Sequence, residues 1–347
     1  MQNEIFLIVL AVGLMSHLFW GFRVLPGERW QILATIPVRK IDSVTWDGLN
    51  LTYYGLFSAN AYLISMAIIL VLFGAIGIGM RACVALILIM MVFCLPMAQI
   101  VAIVVEGKAH TRTVGGAVFG GLLIAPLAIT IVNGAMGPEI ALPMMPAAAA
   151  LATSYSFGEG MGRLACISFG CCYGRRLSRC PSYIQSLFAN YNFIFSGKTK
   201  KIAYESGLDG ERVVPVQAVT AVLYTSTALV STHLFLNALY ASSFLLSVLV
   251  TQGWRFVSEI FRADYRGKGR VSVYQIMGIA AIVYALVLWR CSAESQASAH
   301  VLEGIRILWQ PEAIIFLLFV WVGIFLHTGC SKVTGSVVSF HVHENRI

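Results

Sequence analysis

The chain has 347 residues, a mean hydropathy of +0.80, 58% hydrophobic residues and only 12% charged ones. A soluble domain carries about 25% charged residues, so this composition excludes a globular protein that folds in water. The net charge is +8, but Lys and Arg alternate with apolar stretches, which points to anionic lipid headgroups and not to nucleic acid.

A helix that crosses a bilayer needs about 20 apolar residues. Apolar stretches fall at 4–22, 54–75, 82–104, 115–133, 141–157, 217–238, 240–258, 271–289 and 312–329, of which 141–157 and 240–258 are the weakest. Hydrocarbon offers the backbone no hydrogen-bond partners, so each stretch is expected to be a helix. The short alternating segments of a β-barrel are missing. The expected fold class is an all-α polytopic membrane protein. The first stretch follows Met1-Gln2-Asn3-Glu4, with no positive charge and no small-residue cleavage site after it, and reads as a retained anchor. No internal repeat or low-complexity tract is visible, and short connections join the stretches, so one membrane domain is the simplest account. The longest polar insertion, 174–214, mixes Arg175, Arg176, Arg179, Lys198, Lys200 and Lys201 with Tyr183, Phe188, Tyr191, Phe193 and Phe195. Basic and aromatic residues together suit a membrane interface. A plain solvated loop is the alternative.

Four polar clusters punctuate this pattern. Asn50–Leu56 opens the second stretch, and its Tyr53 and Tyr54 suit interfacial anchors. Glu106, Lys108, His110 and Arg112 precede Gly115-Gly116 and Gly120-Gly121. Charges beside paired glycines at a helix start can hold an anion, and the glycines equally suit close helix packing. The third cluster, Gly158–Arg176, has glycines at 158, 160, 162, 170 and 174, which should weaken a spanning helix and leave irregular backbone around Arg163. An ionisable group at membrane depth marks a functional site. Cys166, Cys171, Cys172 and Cys180 share this cluster but include no C-x-x-C pair, so no metal is expected and the thiols read as small packing residues, with redox chemistry as the alternative. Cys83 and Cys94 lie inside apolar runs, which argues against a disulfide framework. In the fourth cluster Arg255, Glu259 and Arg262 share one helical face, with the carboxylate between two guanidiniums suited to phosphate. A salt-bridged helix end is the bland reading.

Taken in order, these clusters resemble the prolipoprotein diacylglyceryl transferases. Asn50–Leu56 is similar to that family's early Tyr-Gly-Leu motif, and Val114–Gly121 to its Gly-Gly-x-x-Gly-Gly turn. Gly162-Arg163 through Gly174-Arg175 resembles its signature, bounded by two Gly-Arg pairs. Pro215-Val216-Gln217 is similar to its Pro-x-Gln, Arg255–Arg262 to its Arg-Phe-x-x-Glu-Phe-x-Arg, and Ser272–Gln275 to the Gln-bearing start of its last core helix. The resemblance covers about 45–290. It implies a seven-helix core there, an extra helix and loop over 1–44, and an extra helix and tail over 291–347.

The resemblance further implies transfer of a diacylglyceryl group from phosphatidylglycerol to a lipoprotein cysteine, in the bacterial plasma membrane and without a cofactor. Arg163, Arg255, Glu259 and His110 would be the catalytic set: the two arginines grip phosphate and Glu259 orients Arg255. Tyr54 would line the lipid pocket, with Arg112, Gly115, Gly116, Gly162, Gly174, Arg175, Gln217 and Arg262 completing the substrate site. The sequence departs from the pattern in three places. Val114 stands where a histidine often precedes the glycine pair, Cys166 replaces the signature's asparagine, and Cys171 replaces its acidic residue. If all clusters share one pole, only Arg81, Arg290 and Arg306 of the 24 Lys and Arg fall at the other. Positive charge usually marks the cytoplasmic side, whereas the family's site faces outward. Two alternatives stay open: the same scaffold with another, cytosolic acceptor, and a transporter, for which glycine-broken helices are also a device.

Overall fold

The computed structural model describes residues 1–107, 113–137, 141–264, 271–292, 295 and 297–347, with the side chain of residue 106 left aside. Helix α1 (Gln2–Val24) leads through strands β1 (Ile32–Lys40) and β2 (Thr45–Thr52) into α2 (Tyr53–Ala75). Then come α3 (Met80–Val101), continued by a π-turn over Ala102–Glu106, α4 (Val114–Met136) and α5 (Met144–Phe169). The polar insertion holds short α6 (Ser182–Leu187) and α7 (Lys201–Ser206), with the two-residue strands β3 (Phe193–Ile194) and β4 (Arg212–Val213) paired antiparallel. Helices α8 (Val216–Leu236), α9 (Tyr240–Phe261) and α10 (Val273–Cys291) complete the stretch that the sequence marks as core. Short α11 (Val301–Leu308), α12 (Pro311–Gly329) and strand β5 (Cys330–Ser339) follow.

Eight of these helices are long and apolar enough to cross a membrane. The protein is thus an all-α polytopic membrane protein in its spanning part. The ninth long helix, α5, is absent from those eight because it is rich in Ala, Gly and Ser, and it lies at the centre, packed against α2, α4, α8 and α9. Small residues let backbones approach, which is how helices associate where lipid is as apolar as leucine. The expectation of irregular backbone from Gly158 onward is corrected here: α5 runs unbroken to Phe169. Its glycines are contact points instead of breaks. A Cβ on Gly160 would lie 2.6 Å from Thr225 Oγ1 on α8, and one on Gly158 would lie 3.0 Å from Ser65 Cβ on α2. Neighbouring helices shelter the backbone that glycine leaves bare, so the intrinsic penalty is overridden by packing.

The interior that α5 organises is polar as well as tight. Thr153 meets Ser243 at 3.2 Å, Ser247 donates to Ser231 at 2.9 Å, and Ser65 donates to the Ser154 carbonyl at 2.8 Å. In a bundle without a strong hydrophobic drive such bonds hold helices in register.

Apart from the 174–214 insertion the sequence suggests only short connections outside the spans, and the structure places a sheet there. Strands β1, β2 and β5 form an antiparallel sheet in that order, with Ile36 opposite Leu49 and Leu49 opposite Gly335. Asn50 and Thr52, read as the start of a helix, close β2 instead. Asn50 accepts from Thr35 at 2.8 Å and from Ser336 at 2.7 Å, and Thr52 caps α2 by accepting from the Gly55 amide. Helix α12 lies against α2 so closely that a Cβ on Gly55 would fall 2.2 Å from Gly329 Cα. The end of α5 meets the starts of α2 and α8, through Tyr54 on Phe169 and Gln217 on Cys171, and Gly174 beyond it bridges to Arg262 at the end of α9, so these motif-bearing ends lie together.

Lys200, in the polar insertion, is fully buried and donates from Nζ to the carbonyls of Leu25 at 3.1 Å and Ser168 at 2.6 Å, tying the ends of α1 and α5 together. Burial pushes its ammonium down to about 8 from 10.5. Between those values the unfolded chain holds a proton that the folded chain releases, so stability rises with pH through that window. Thermal unfolding of the detergent-solubilised protein at pH 8 and pH 10 should show this rise, and Lys200→Met should lose it.

Candidate active site

The site begins with helical spacing on α5. Tyr155, Glu159 and Arg163 are four residues apart and therefore stack on one face. Glu159 has a side chain only 2% exposed, and it pairs with the Arg163 guanidinium, itself 13% exposed. From α9, Arg255, 11% exposed, donates Nη2 to both Glu159 oxygens at 3.2 and 3.1 Å. Arg255 also donates to the Tyr155 hydroxyl at 3.0 Å, and that hydroxyl donates to Glu159 at 2.6 Å. Glu159 is ten residues from the end of α5, about 15 Å along the helix axis, so the site is sunk into the bundle.

Two buried guanidiniums share one buried carboxylate. Such a site is one negative charge short, and a desolvated cation without a partner is costly. The remaining N–H groups are fixed forks suited to a phosphate or carboxylate. The arrangement can therefore hold an anion and stabilise charge that develops on it in a place with little water.

The glycine pair on α4 divides its duties. A Cβ on Gly115 would lie 2.8 Å from Arg255 Nη1 and 2.7 Å from the Tyr274 ring, so the absent side chain makes room for the guanidinium. Gly116 turns to α3, where a Cβ would lie 2.6 Å from Val101 Cβ. At the end of α9 Arg262 is 8% exposed and clamps Asp264 through Nε at 2.8 Å and Nη2 at 2.7 Å. Gly174 forms an isolated β-bridge with Arg262, and a Cβ there would strike Val214 O at 2.3 Å, so glycine is what lets the insertion lie against the end of α9.

Other expected residues fall in different places. Glu259 is half-buried between Arg255 and Arg262 and acts on both through space. Among the described residues, the carboxylate that hydrogen-bonds Arg255 is Glu159, not Glu259. Arg175 is exposed, and it is Arg176 that forms an ion pair, with Glu211. A Cβ on Gly162 would lie 3.7 Å from Ala61 Cβ on α2, ordinary van der Waals contact. His110 and Arg112 lie outside the described residues. Sequence reasoning passed over the roles of Glu159 and Tyr155, although their four-residue spacing to Arg163 was the signal. Asp264 was missed as a partner of Arg262 as well.

The end of α5 builds a second feature. Gly170 adopts a left-handed conformation with φ 74, and the Gly170 and Cys171 amides both donate back to the Cys166 carbonyl, at 2.9 and 3.0 Å. Cys172 follows with φ 57, which is rare for a residue with a Cβ. This reversal brings the Sγ atoms of Cys166, Cys171 and Cys172 within 4.8 Å of one another. The Cys172 thiol lies well below its ordinary pKa, foremost through hydrogen bonds with Cys166 and Cys171 and then through the fields of Arg262 and Arg163. The Tyr54 ring packs on Phe169 at 5.5 Å, within electrostatic reach of all three thiols. Gln217, buried at the start of α8, donates Nε2 to the Cys171 carbonyl at 2.9 Å, and its Oε1 is buried without a hydrogen-bond partner among the described residues. The fourth cysteine stands apart, with Cys180 Sγ directed to the Arg176 carbonyl at 3.5 Å.

The family model of the prolipoprotein diacylglyceryl transferases matches residues 43–291. That span starts just before β2, ends at the last residue of α10, and contains every residue described for the site. No curated protein matches the chain.

If Glu159 is the shared counter-ion, Glu159→Gln leaves two guanidiniums buried without a carboxylate. The expected loss is about 3–5 kcal/mol, the usual cost of breaking a buried pair from one side. Chemical unfolding in detergent measures it, with Glu303→Gln, at the exposed pair with Arg306, as the variant that leaves stability unchanged.

Proposed function

We propose that this chain, which belongs to the prolipoprotein diacylglyceryl transferase family and is therefore a membrane transferase acting in lipoprotein biosynthesis, takes its diacylglyceryl group from phosphatidylglycerol and delivers it to a lipoprotein cysteine. The observation that carries the donor half is the shared Glu159: Arg163 and Arg255 enclose one carboxylate and keep one positive charge in excess. An anionic phospholipid supplies the missing charge at the depth where its headgroup enters a bundle.

In this reading the acceptor thiolate attacks the glyceryl carbon next to the phosphate. The carbon–sulfur bond forms, the carbon–oxygen bond breaks, and glycerol phosphate departs with the electron pair. Negative charge grows on the leaving oxygen, and fixed guanidiniums stabilise it more than they stabilise the resting ester. Arg262, held by Asp264, extends the positive lining toward the pole. Gly115 keeps Arg255 in place, and Tyr54 contributes apolar wall for the lipid.

The test is release of labelled glycerol phosphate from phosphatidylglycerol in the presence of a cysteine-bearing lipoprotein signal peptide. Arg163→Lys and Arg255→Lys keep the charge but lose the fork, and each should lower turnover by about a hundredfold, the scale seen when one preorganised donor is removed. Near-normal turnover in folded variants would sink the phosphate assignment.

A second reading differs only in the side of the membrane. The basic residues crowd the site-bearing pole, as cytoplasmic faces do, and a cytosolic acceptor would follow. A lipoprotein acceptor requires that pole to face outward. With Lys198→Cys, at an exposed position of the insertion, in an otherwise cysteine-free chain, a membrane-impermeant maleimide should label intact cells. Labelling only after lysis would favour the cytosolic acceptor.

A further inference from the structure

We propose that Cys166, Cys171 and Cys172 form a three-thiolate site for a thiophilic cation, zinc foremost, with a fourth coordination position left open beside the arginine site. No C-x-x-C spacing announces it. The ligands converge because α5 ends in a left-handed reversal: Cys166 is on its last turn, and the chain folds back through Gly170 to present Cys171 and Cys172 to it.

Four observations meet at this spot. First, the three Sγ atoms lie within 4.8 Å of one another. Thiolates on one tetrahedral ion at the usual ~2.3 Å stand about 3.8 Å apart, so small side-chain rotations bring them onto a common centre. Second, Cys172, two residues past the glycine cap of α5, holds a left-handed backbone at φ 57, a conformation that a residue with a Cβ rarely adopts. Third, the cluster adjoins the arginine site in the backbone itself, because Gly174, two residues after Cys172, forms a β-bridge with Arg262. Fourth, Gln217 fixes the Cys171 carbonyl and leaves its buried Oε1 unpartnered among the described residues, an acceptor for a water or an N–H at the open position. Packing thiols require none of the last three.

Three protein ligands with one open position are the pattern of reactive rather than structural zinc. On the transferase reading, and resting on it, the open position receives the acceptor cysteine as a thiolate. The thiol's proton passes to solvent, the sulfur attacks the glyceryl carbon, and glycerol phosphate leaves toward Arg163 and Arg255.

The test measures metal before activity. The full chain, purified in detergent without chelator and under reducing conditions, should contain stoichiometric zinc by elemental analysis. Exchange for cobalt(II) should give the visible and near-ultraviolet bands of a tetrahedral thiolate site. Cys171→Ser and Cys172→Ser should lose the zinc and the bands while unfolding at near-normal temperature, and Cys180→Ser should keep both. Failure of reduced protein to take up zinc or cobalt would overturn the proposal, as would a Cys171–Cys172 disulfide in protein purified without reductant that persists when zinc is supplied. Zinc bound without release of glycerol phosphate would leave the metal site standing and defeat the transferase reading. Release of glycerol phosphate by zinc-free protein would leave the transferase reading standing and defeat the delivery of the acceptor thiolate by the metal.

Discussion

One buried carboxylate governs this protein's chemistry. Glu159 is held by Tyr155 from its own helix, by Arg163 one turn on, and by Arg255 from across the bundle. Its charge permits the first guanidinium to be buried, and its insufficiency leaves the second without a full counter-charge of its own. Reversing the ratio, with two acids to one base, would repel a phospholipid headgroup. Removing the acid would leave two buried guanidiniums without a shared counter-charge, at a cost in stability. The stoichiometry of the cluster thus sets the stability of the centre and leaves it with one positive charge in excess.

The remainder of the architecture delivers those three side chains to one point. Alanine, glycine and serine along α5 bring α2, α8 and α9 near enough for side chains from two helices to share a carboxylate. Gly115 removes the one atom that would displace Arg255. The Gly174 bridge and the Asp264 clamp then hold the end of α9, so that the polar insertion, anchored by Lys200, lies against it. A hydroxyl-lined interior supplies the hydrogen bonds that an apolar membrane core cannot.

Much of this was legible in the amino-acid order, and the exceptions share a cause. Hydropathy located the spans because the bilayer imposes a length and a composition on each helix. Segment 141–157 was one of the two weakest, with 240–258, for a sound reason: α5 is shielded by other helices and has little need of lipid-facing side chains. The glycines misled, since a local propensity says nothing of what will pack against the bare backbone. Arg163 and Arg255 stood out by type and depth. Their partner did not, because Glu159 lay in a stretch read for its glycines and Glu259 offered itself at the expected spacing on the same helix as Arg255. The pairing of β2 with β5 escaped notice because Thr45–Thr52 and Cys330–Ser339 are separated by nearly the whole chain, and a pairing of that range leaves no local trace; the β1–β2 hairpin is local, but it lies outside the apolar stretches on which the reading was built. The thiol cluster depends on a backbone reversal that no spacing rule encodes.

The sheet carries a consequence for how the protein is made. Asn50, near the start of the chain, is bonded to Ser336, 286 residues later. Every long helix has been synthesised and inserted before β5 exists to complete the hydrogen bonds of β2. Until then the edge of β2 is bare, and the nascent protein exposes backbone that any extended peptide could occupy. Closure by β5 therefore reports that α12 has crossed the bilayer in the correct sense and that its glycine has docked on α2. The pairing works as a late latch on biogenesis, and a chain released before it closes is left with an open strand for proteases and chaperones to find.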